Sequence, residues 1–272
     1  MKTTSAELKL RARKKLKGKY AISVGAGLIV GAILSVLFTV FIICSIIFGA
    51  TSERLFYDGI DSGIGFVLFQ IFTILFGIIY TAIMALLMPG YIKMFLNITT
   101  DQKYGISDLV YGLKNKPLKF LGINLLLFLI GIIIGIPFMV VFVVSIITDF
   151  IPVMLVLLFL MYIAVMVGSI VVTIYFSQCF FIMIESPDKG VLQCLRESVE
   201  LMKGNKGRFF YIMLSFTGMM LLGYGSMGIG LLWIMPYIQC TLTEFYLDIK
   251  TERTESVPVS QADHSYESMQ NY

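Results

Sequence analysis

Residues able to do acid–base or metal chemistry are scarce where this chain is apolar. Its one histidine, His264, lies in a polar C-terminal stretch. Imidazole, the usual proton-transfer group near neutral pH and a common metal ligand, is therefore not offered inside the apolar segments. The four cysteines, Cys44, Cys179, Cys194 and Cys240, show no C-x-x-C spacing and read as small apolar packers. The acids nearest an apolar run are Glu244 and Asp248, one helical turn apart. By helical rise Glu244 stands about 24 Å from the turn at Gly228, near the headgroups of a bilayer. The uncharged amides within apolar runs are Gln70, Asn124, Gln178 and Gln239. Such amides hydrogen-bond across helix interfaces for roughly 0.6–2 kcal/mol each, so these four and Glu244 are the candidate intramembrane polar contacts. There is no P-loop, no G-x-S-x-G and no H-E-x-x-H. No catalytic, cofactor-binding or metal site is expected, and no cofactor. The basic stretches lack interleaved aromatics, so nucleic acid is not an expected partner.

The elements that would position these groups follow from composition. Of 272 residues 58% are apolar and only 14% charged, against about 25% charged in a soluble domain, and the mean hydropathy is +0.88. Five stretches carry no charge at all: 20–52, 62–92, 120–148, 150–184 and 209–243. Each exceeds the ~20 apolar residues that cross a bilayer as a helix. The fold class is all-α, a polytopic membrane bundle of six transmembrane helices whose partner is the lipid bilayer.

Residues 1–19 hold eight Lys/Arg and one Glu. Thr4-Ser5-Ala6-Glu7 has the form of a capping box. Leu8, Ala12, Leu16 and Tyr20 recur every four residues and form a narrow apolar stripe. This segment reads as a basic flank fixing the orientation of the first span, or as a helix lying on an anionic membrane surface. The run after it is too long for a cleaved signal and reads as span one, 20–49. Span two, 64–88, meets the helix-ending pair Pro89-Gly90. The stretch 91–119 carries a short amphipathic helix begun by Ser107-Asp108. Span three is 120–147, with Gly135-Ile136-Pro137 as a kink, and span four is 152–184. Ser186-Pro187-Asp188 then supplies an N-cap, a proline and an acid for a new helix. On it Leu192, Leu195, Val199 and Met202 share one face while Arg196, Glu197, Glu200 and Lys203 take the other. That apolar face is the candidate partner surface. Four glycines in Gly223–Gly230 divide the last stretch into a hairpin of two short spans, 208–222 and 229–248, with a re-entrant hairpin as the alternative. Residues 249–272 are polar, lack periodicity and read as a disordered tail. Gly27-x-x-x-Gly31 and Gly131-x-x-x-Gly135 are spaced for close helix approach within the chain.

With six crossings, one side receives 20 of the 21 Lys/Arg and the other only Arg54. The positive-inside rule places both termini in the cytoplasm.

The C-terminal third carries a resemblance. Glu197-Ser198-Val199-Glu200-Leu201-Met202-Lys203-Gly204-Asn205-Lys206 leads into Arg208-Phe209. Leu214-Ser215-Phe216, Gly228-Ile229-Gly230-Leu231-Leu232-Trp233, Pro236-Tyr237-Ile238 and Glu244-Phe245-Tyr246 follow in order. With Leu16-Lys17-Gly18-Lys19-Tyr20 near the start, this string resembles the bacterial integral-membrane family called domain of unknown function 975. The chain departs from that family's pattern in lacking a proline–glycine helix end in span four, and in having Met219 or Met220 where a tryptophan is common. The resemblance implies a multi-span bacterial membrane protein and carries no activity or catalytic residue. The functional expectation is a non-enzymatic, membrane-embedded accessory or scaffold protein of the plasma membrane, with a membrane or cytoplasmic protein partner. A homo-oligomer stays open. The alternative is a transporter or lipid-handling permease for uncharged or amphipathic substrates.

Overall fold

The computed structural model describes residues 3–57 and 62–256, and every regular element among them is helical. In chain order these are α1 (Ser5–Leu16), α2 (Tyr20–Tyr57), α3 (Ser62–Thr99), a 3-10 turn (Ile106–Val110), α4 (Tyr111–Lys114) and α5 (Pro117–Ile147). Then come α6 (Pro152–Phe176), α7 (Cys179–Glu185), α8 (Val191–Leu201), α9 (Lys206–Gly225) and α10 (Leu231–Ser256). Four segments are long and apolar enough to cross a membrane: Tyr20–Phe48, Val67–Thr99, Pro117–Ile147 and Pro152–Glu185. The two further crossings expected in 208–222 and 229–248 correspond to α9 and α10, which are more polar and fall outside that set.

The long helices pair as hairpins, α2 with α3, α5 with α6, and α9 with α10. At 38 residues each, α2 and α3 are about 57 Å long, nearly twice the ~30 Å of hydrocarbon. Packing is concentrated at the ends that carry the basic residues. In the four apolar windows at most 11% of residues are buried, whereas Leu8, Phe95, Phe120, Met183, Met202 and Phe245 at the basic ends are all under 2–3% exposed. Side chains such as Ile133, Ile147 and Val153 are two-thirds exposed or more, which is the arrangement a lipid solvent tolerates. The centre of the packed end is α10, which touches α1, α2, α3, α8 and α9.

Several expectations are corrected by this packing. The helix of span two does not end at Pro89-Gly90, and α3 runs on to Thr99. Proline removes one ladder bond, but Tyr91, Met94, Phe95 and Ile98 beyond it form a buried stripe, and that burial holds the helix together. The stripe of α1 is covered by the chain itself: Leu8, Ala12 and Leu16 are fully buried against α10 and its neighbours. Half of the predicted capping box forms, since the Glu7 N–H donates to Thr4 Oγ1 at 3.3 Å while the Glu7 carboxylate pairs with Arg11 at 3.0 Å. Helix α8 starts at Val191 after Gly190, not at Ser186. Asp188 is taken by Lys116 at 2.5 Å, and Lys119 donates to the carbonyls of Pro187 and Lys189. The polar tail begins later than expected because α10 continues to Ser256, held by Lys250 on Glu185 and Arg253 on Glu200. Residues 257–272 of that tail lie outside the described residues. Of the spaced glycines, Gly27 has a neighbour, the Tyr91 hydroxyl at 3.6 Å, while Gly31, Gly131 and Gly135 face open space. Close helix approach is instead made at Gly90 and Gly112, where α3 meets the 3-10 turn and α4.

Candidate functional site

The polar group that organises the basic end is Ser198, in the middle of the buried face of α8. Its hydroxyl donates to the Tyr175 carbonyl at 2.8 Å and accepts from the Gln178 N–H at 3.2 Å. The adjacent Ser177 hydroxyl donates to the Ile174 carbonyl at 2.9 Å. Side-chain hydroxyls thus stand in for ladder bonds between α6 and α7, and the helix turns there without a proline. Gln178 sits at the break, 1% exposed. Its amide nitrogen donates to Ser177 Oγ at 2.7 Å and to the Met202 sulfur at 3.7 Å, and its Oε1 is buried without a partner.

One turn away, Lys206 at the start of α9 donates to the Tyr175 hydroxyl and lies over its ring, 4.0 Å from the centroid. Below this pair α6 and α9 diverge and leave a cleft of about 500 Å³. Ser169 and Thr173 line it from α6, and Phe209, Met213, Thr217 and Met220 from α9. Its walls are almost wholly apolar, with three hydroxyls as the polar exceptions.

A second polar cluster lies where α1, α9 and α10 meet. Arg208 donates to Asp248 at 2.5 Å, to Glu252 at 2.9 Å and to the Thr3 carbonyl at 2.8 Å, and stacks 5.6 Å from the Phe245 ring. Thr3 donates to the other Asp248 oxygen at 2.6 Å. Three surface acids are held below the usual carboxylate range by the hydrogen bonds and charge of cations beside them: Asp101 by Lys15 and Lys19, Asp188 by Lys116, and Glu200 by Arg253. Desolvation, followed by the charge of Glu197, pushes the Cys194 thiol up.

Of the expected polar contacts, Gln178 is in the site. Asn124 donates from α5 to the Thr81 carbonyl of α3 at 3.4 Å. Gln70 is exposed on α3, Gln239 is half-buried on α10, and Glu244 is buried on α10. The expected partner surface does not stand as one exposed face. Leu195 and Met202 belong to the chain's own core, Val199 is half-buried, and Leu192 is 72% exposed. An amphipathic pattern says that a face is covered, not by whom, and here the cover is α5, α6, α7 and α10. Sequence reasoning missed Ser198, Tyr175, Lys206 and Arg208. A hydroxyl on the apolar face of α8 was the available signal for the first, and two cations leading directly into an apolar run for the last two. Among the described residues no group of three or more His, Cys, Asp or Glu is placed to hold a metal.

The family model described as "Protein of unknown function (DUF975)" matches residues 1–253. No curated protein and no solved structure matches the chain. The matched stretch takes in α1 through nearly all of α10, with the Ser198 junction, the cleft and the Arg208 cluster inside it, and the protein, with its four helices apolar and long enough to cross a membrane, belongs to this family of unknown function.

Proposed function

We propose that the protein is a non-enzymatic accessory or scaffold protein of a bacterial plasma membrane, with six crossings and both termini in the cytoplasm. The charge distribution supports the topology, since 20 of 21 Lys/Arg fall on one side of it. The observation that carries the scaffold reading is the location of the packing. A tight, ion-paired core sits at the basic end, while the apolar flanks of α5 and α6 are left open. Such a molecule holds a rigid platform at the membrane face and offers lateral apolar surface to other membrane proteins. The test is purification from native membranes in a gentle detergent, with identification of what co-purifies. A stoichiometric protein lost in a Leu192→Asp or Val153→Asp variant supports the reading. A chain that always purifies alone overturns it. Leu195→Asp is the wrong probe, because Leu195 is buried and its loss would report on folding.

The cleft between α6 and α9 favours a second reading, a permease or lipid-handling protein for uncharged or amphipathic substrates. Such ligands need no buried counter-charge. Its test is flux of labelled lipid in vesicles that contain the purified chain, compared with empty vesicles.

A further inference from the structure

The geometry points to the cleft between α6 and α9 as a binding site for one acyl chain of an anionic phospholipid, drawn from the leaflet at the basic end, with its phosphate at Lys206. The assignment holds whether the protein is a scaffold or a permease, because a bound lipid serves either.

Three observations converge on that occupant. The first is length. From Phe209 to Met220 the α9 wall rises about 16 Å, which is close to half of the ~30 Å hydrocarbon thickness, the depth of one leaflet. The second is chemistry and size. The cleft's ~500 Å³ lies within the range of small-ligand pockets, and its lining is apolar apart from Ser169, Thr173 and Thr217. A polar solute would lose its hydration there for three hydroxyls, one of which, Thr173, is already donating to the Ser169 carbonyl at 2.9 Å. An acyl chain loses nothing.

The third is charge at one end only. Lys206 is half-buried on the turn above Phe209, steadied by the Tyr175 hydroxyl and ring, and forms no ion pair among the described residues. An ammonium in that position faces the headgroup layer when the acyl chain fills the cleft, and Tyr175 adds a hydroxyl beside it. Arg208, two residues on, is committed to Asp248 and Glu252 on the α10 side, so the headgroup contact falls to Lys206. The lining residues Ile170, Phe210, Met213 and Leu214 are exposed, so a lipid alongside α6 and α9 meets the cleft directly.

The experiment is native mass spectrometry of the full chain after delipidation, with phosphatidylglycerol or phosphatidylcholine added back, run beside thermal unfolding. One phosphatidylglycerol per chain is expected to be retained and to raise the unfolding temperature, with phosphatidylcholine, whose choline cation neutralises the same phosphate and repels the Lys206 ammonium, held about tenfold more weakly. Lys206→Met is expected to erase that preference. Lys14→Met, the same change of charge at an exposed position on α1, is expected to leave it intact. Thr217→Trp, which fills the cleft from an exposed position, is expected to lose retention of both lipids while unfolding at an unchanged temperature without lipid. Inorganic phosphate at millimolar concentration is expected not to compete, because the acyl chain supplies most of the affinity. Equal retention of the two lipids by the wild-type chain, an equal loss in Lys14→Met, displacement by phosphate alone, or a helix of another protein occupying the cleft would each overturn the assignment. Loss of lipid flux with retention intact would count against the permease reading alone.

Discussion

Gly112 on α4 rests against the carbonyl of Leu86 on α3, and a Cβ added at Gly112 would overlap it. Gly90 stands in the same relation to the carbonyl of Leu109. The two contacts fasten the 3-10 turn and α4 to α3 across a single crossing, with backbone on backbone. Gly112→Ala must push the segments apart, at about 1–3 kcal/mol. Thermal unfolding in detergent should show a clear drop for Gly112→Ala and Gly90→Ala. Gly131→Ala and Gly135→Ala, which meet nothing within 4 Å, should unfold at or above the wild-type temperature, since alanine is the better helix former by about 1 kcal/mol.

Arg208 ties three elements with one guanidinium. Its side chain is 18% exposed and that of Asp248 9%. Arg208→Ala leaves Asp248 and Glu252 without their main cation and should cost about 3 kcal/mol, in the range for breaking a largely buried pair. Arg208→Lys should rescue only part of this, because an ammonium cannot reach both carboxylates and the Thr3 carbonyl in the fork geometry. Limited proteolysis should show α1 released first, as Thr3 is one of the atoms that Arg208 holds.

At the break between α6 and α7, two substitutions should differ in cost. Ser198→Ala strips the acceptor from the Gln178 N–H and a donor from the Tyr175 carbonyl, at about 1–3 kcal/mol. Gln178→Leu removes a buried oxygen that has no partner together with the amide's bonds to Ser177 Oγ and the Met202 sulfur; the two effects offset, and stability should stay within about 1 kcal/mol of the wild type. A loss for Gln178→Leu as large as that for Ser198→Ala would overturn this ranking.

Acid should loosen the link between α1 and the turn after α3. Lys15 and Lys19 hold Asp101 below its ordinary value of about 3.8, so its folded pKa is depressed. The contact is then fully present above that ordinary value and is lost as pH falls through the lower folded pKa. Proteolysis of residues 100–105 should accelerate in that acidic window and not between pH 5 and 8. Asp101→Asn should show the fast cleavage already at neutral pH, since asparagine tolerates the left-handed backbone at this position (φ 54°) but offers no charge.

The proposed six-crossing topology is open to a test by thiol labelling. Met227 at the α9–α10 turn is 95% exposed, whereas Cys179, Cys194 and Cys240 are buried and Cys44 half-buried. Met227→Cys in intact cells should react with a membrane-impermeant reagent added outside. Lys103→Cys should react only after permeabilisation. Labelling of both, or of neither, before permeabilisation would turn the α9–α10 hairpin into a re-entrant or surface element.

The helical class and most limits of the four most apolar segments were legible, the C-terminal end of span two excepted, because uninterrupted apolar runs of this length have few other uses. Gln178 was legible too, as an amide within such a run. What it touches was not, because its neighbours Ser198 and Met202 come from a helix 20 residues on, and pattern alone does not say which faces meet. Pro89-Gly90 misled for the same reason. The local rule ends a helix there, and the burial of Tyr91, Met94, Phe95 and Ile98 outweighs it. The glycines were read by spacing, yet the pair that matters, Gly90 and Gly112, is 22 residues apart and has no spacing to notice.

The seat of α1 on α10 sets an order of assembly. Tyr237 donates to the Lys9 carbonyl and Cys240 to the Ala12 carbonyl, each across 228 residues of chain. At roughly 5–20 residues per second of synthesis, α1 leaves the ribosome about 10–45 s before its partners exist. For that interval Leu8, Ala12 and Leu16 have no protein to cover them, and the helix around them carries Lys9, Arg11, Arg13, Lys14 and Lys15. The nascent chain's nearest apolar shelter with anionic charge is the membrane surface. The first helix made would wait there as a clasp that closes last.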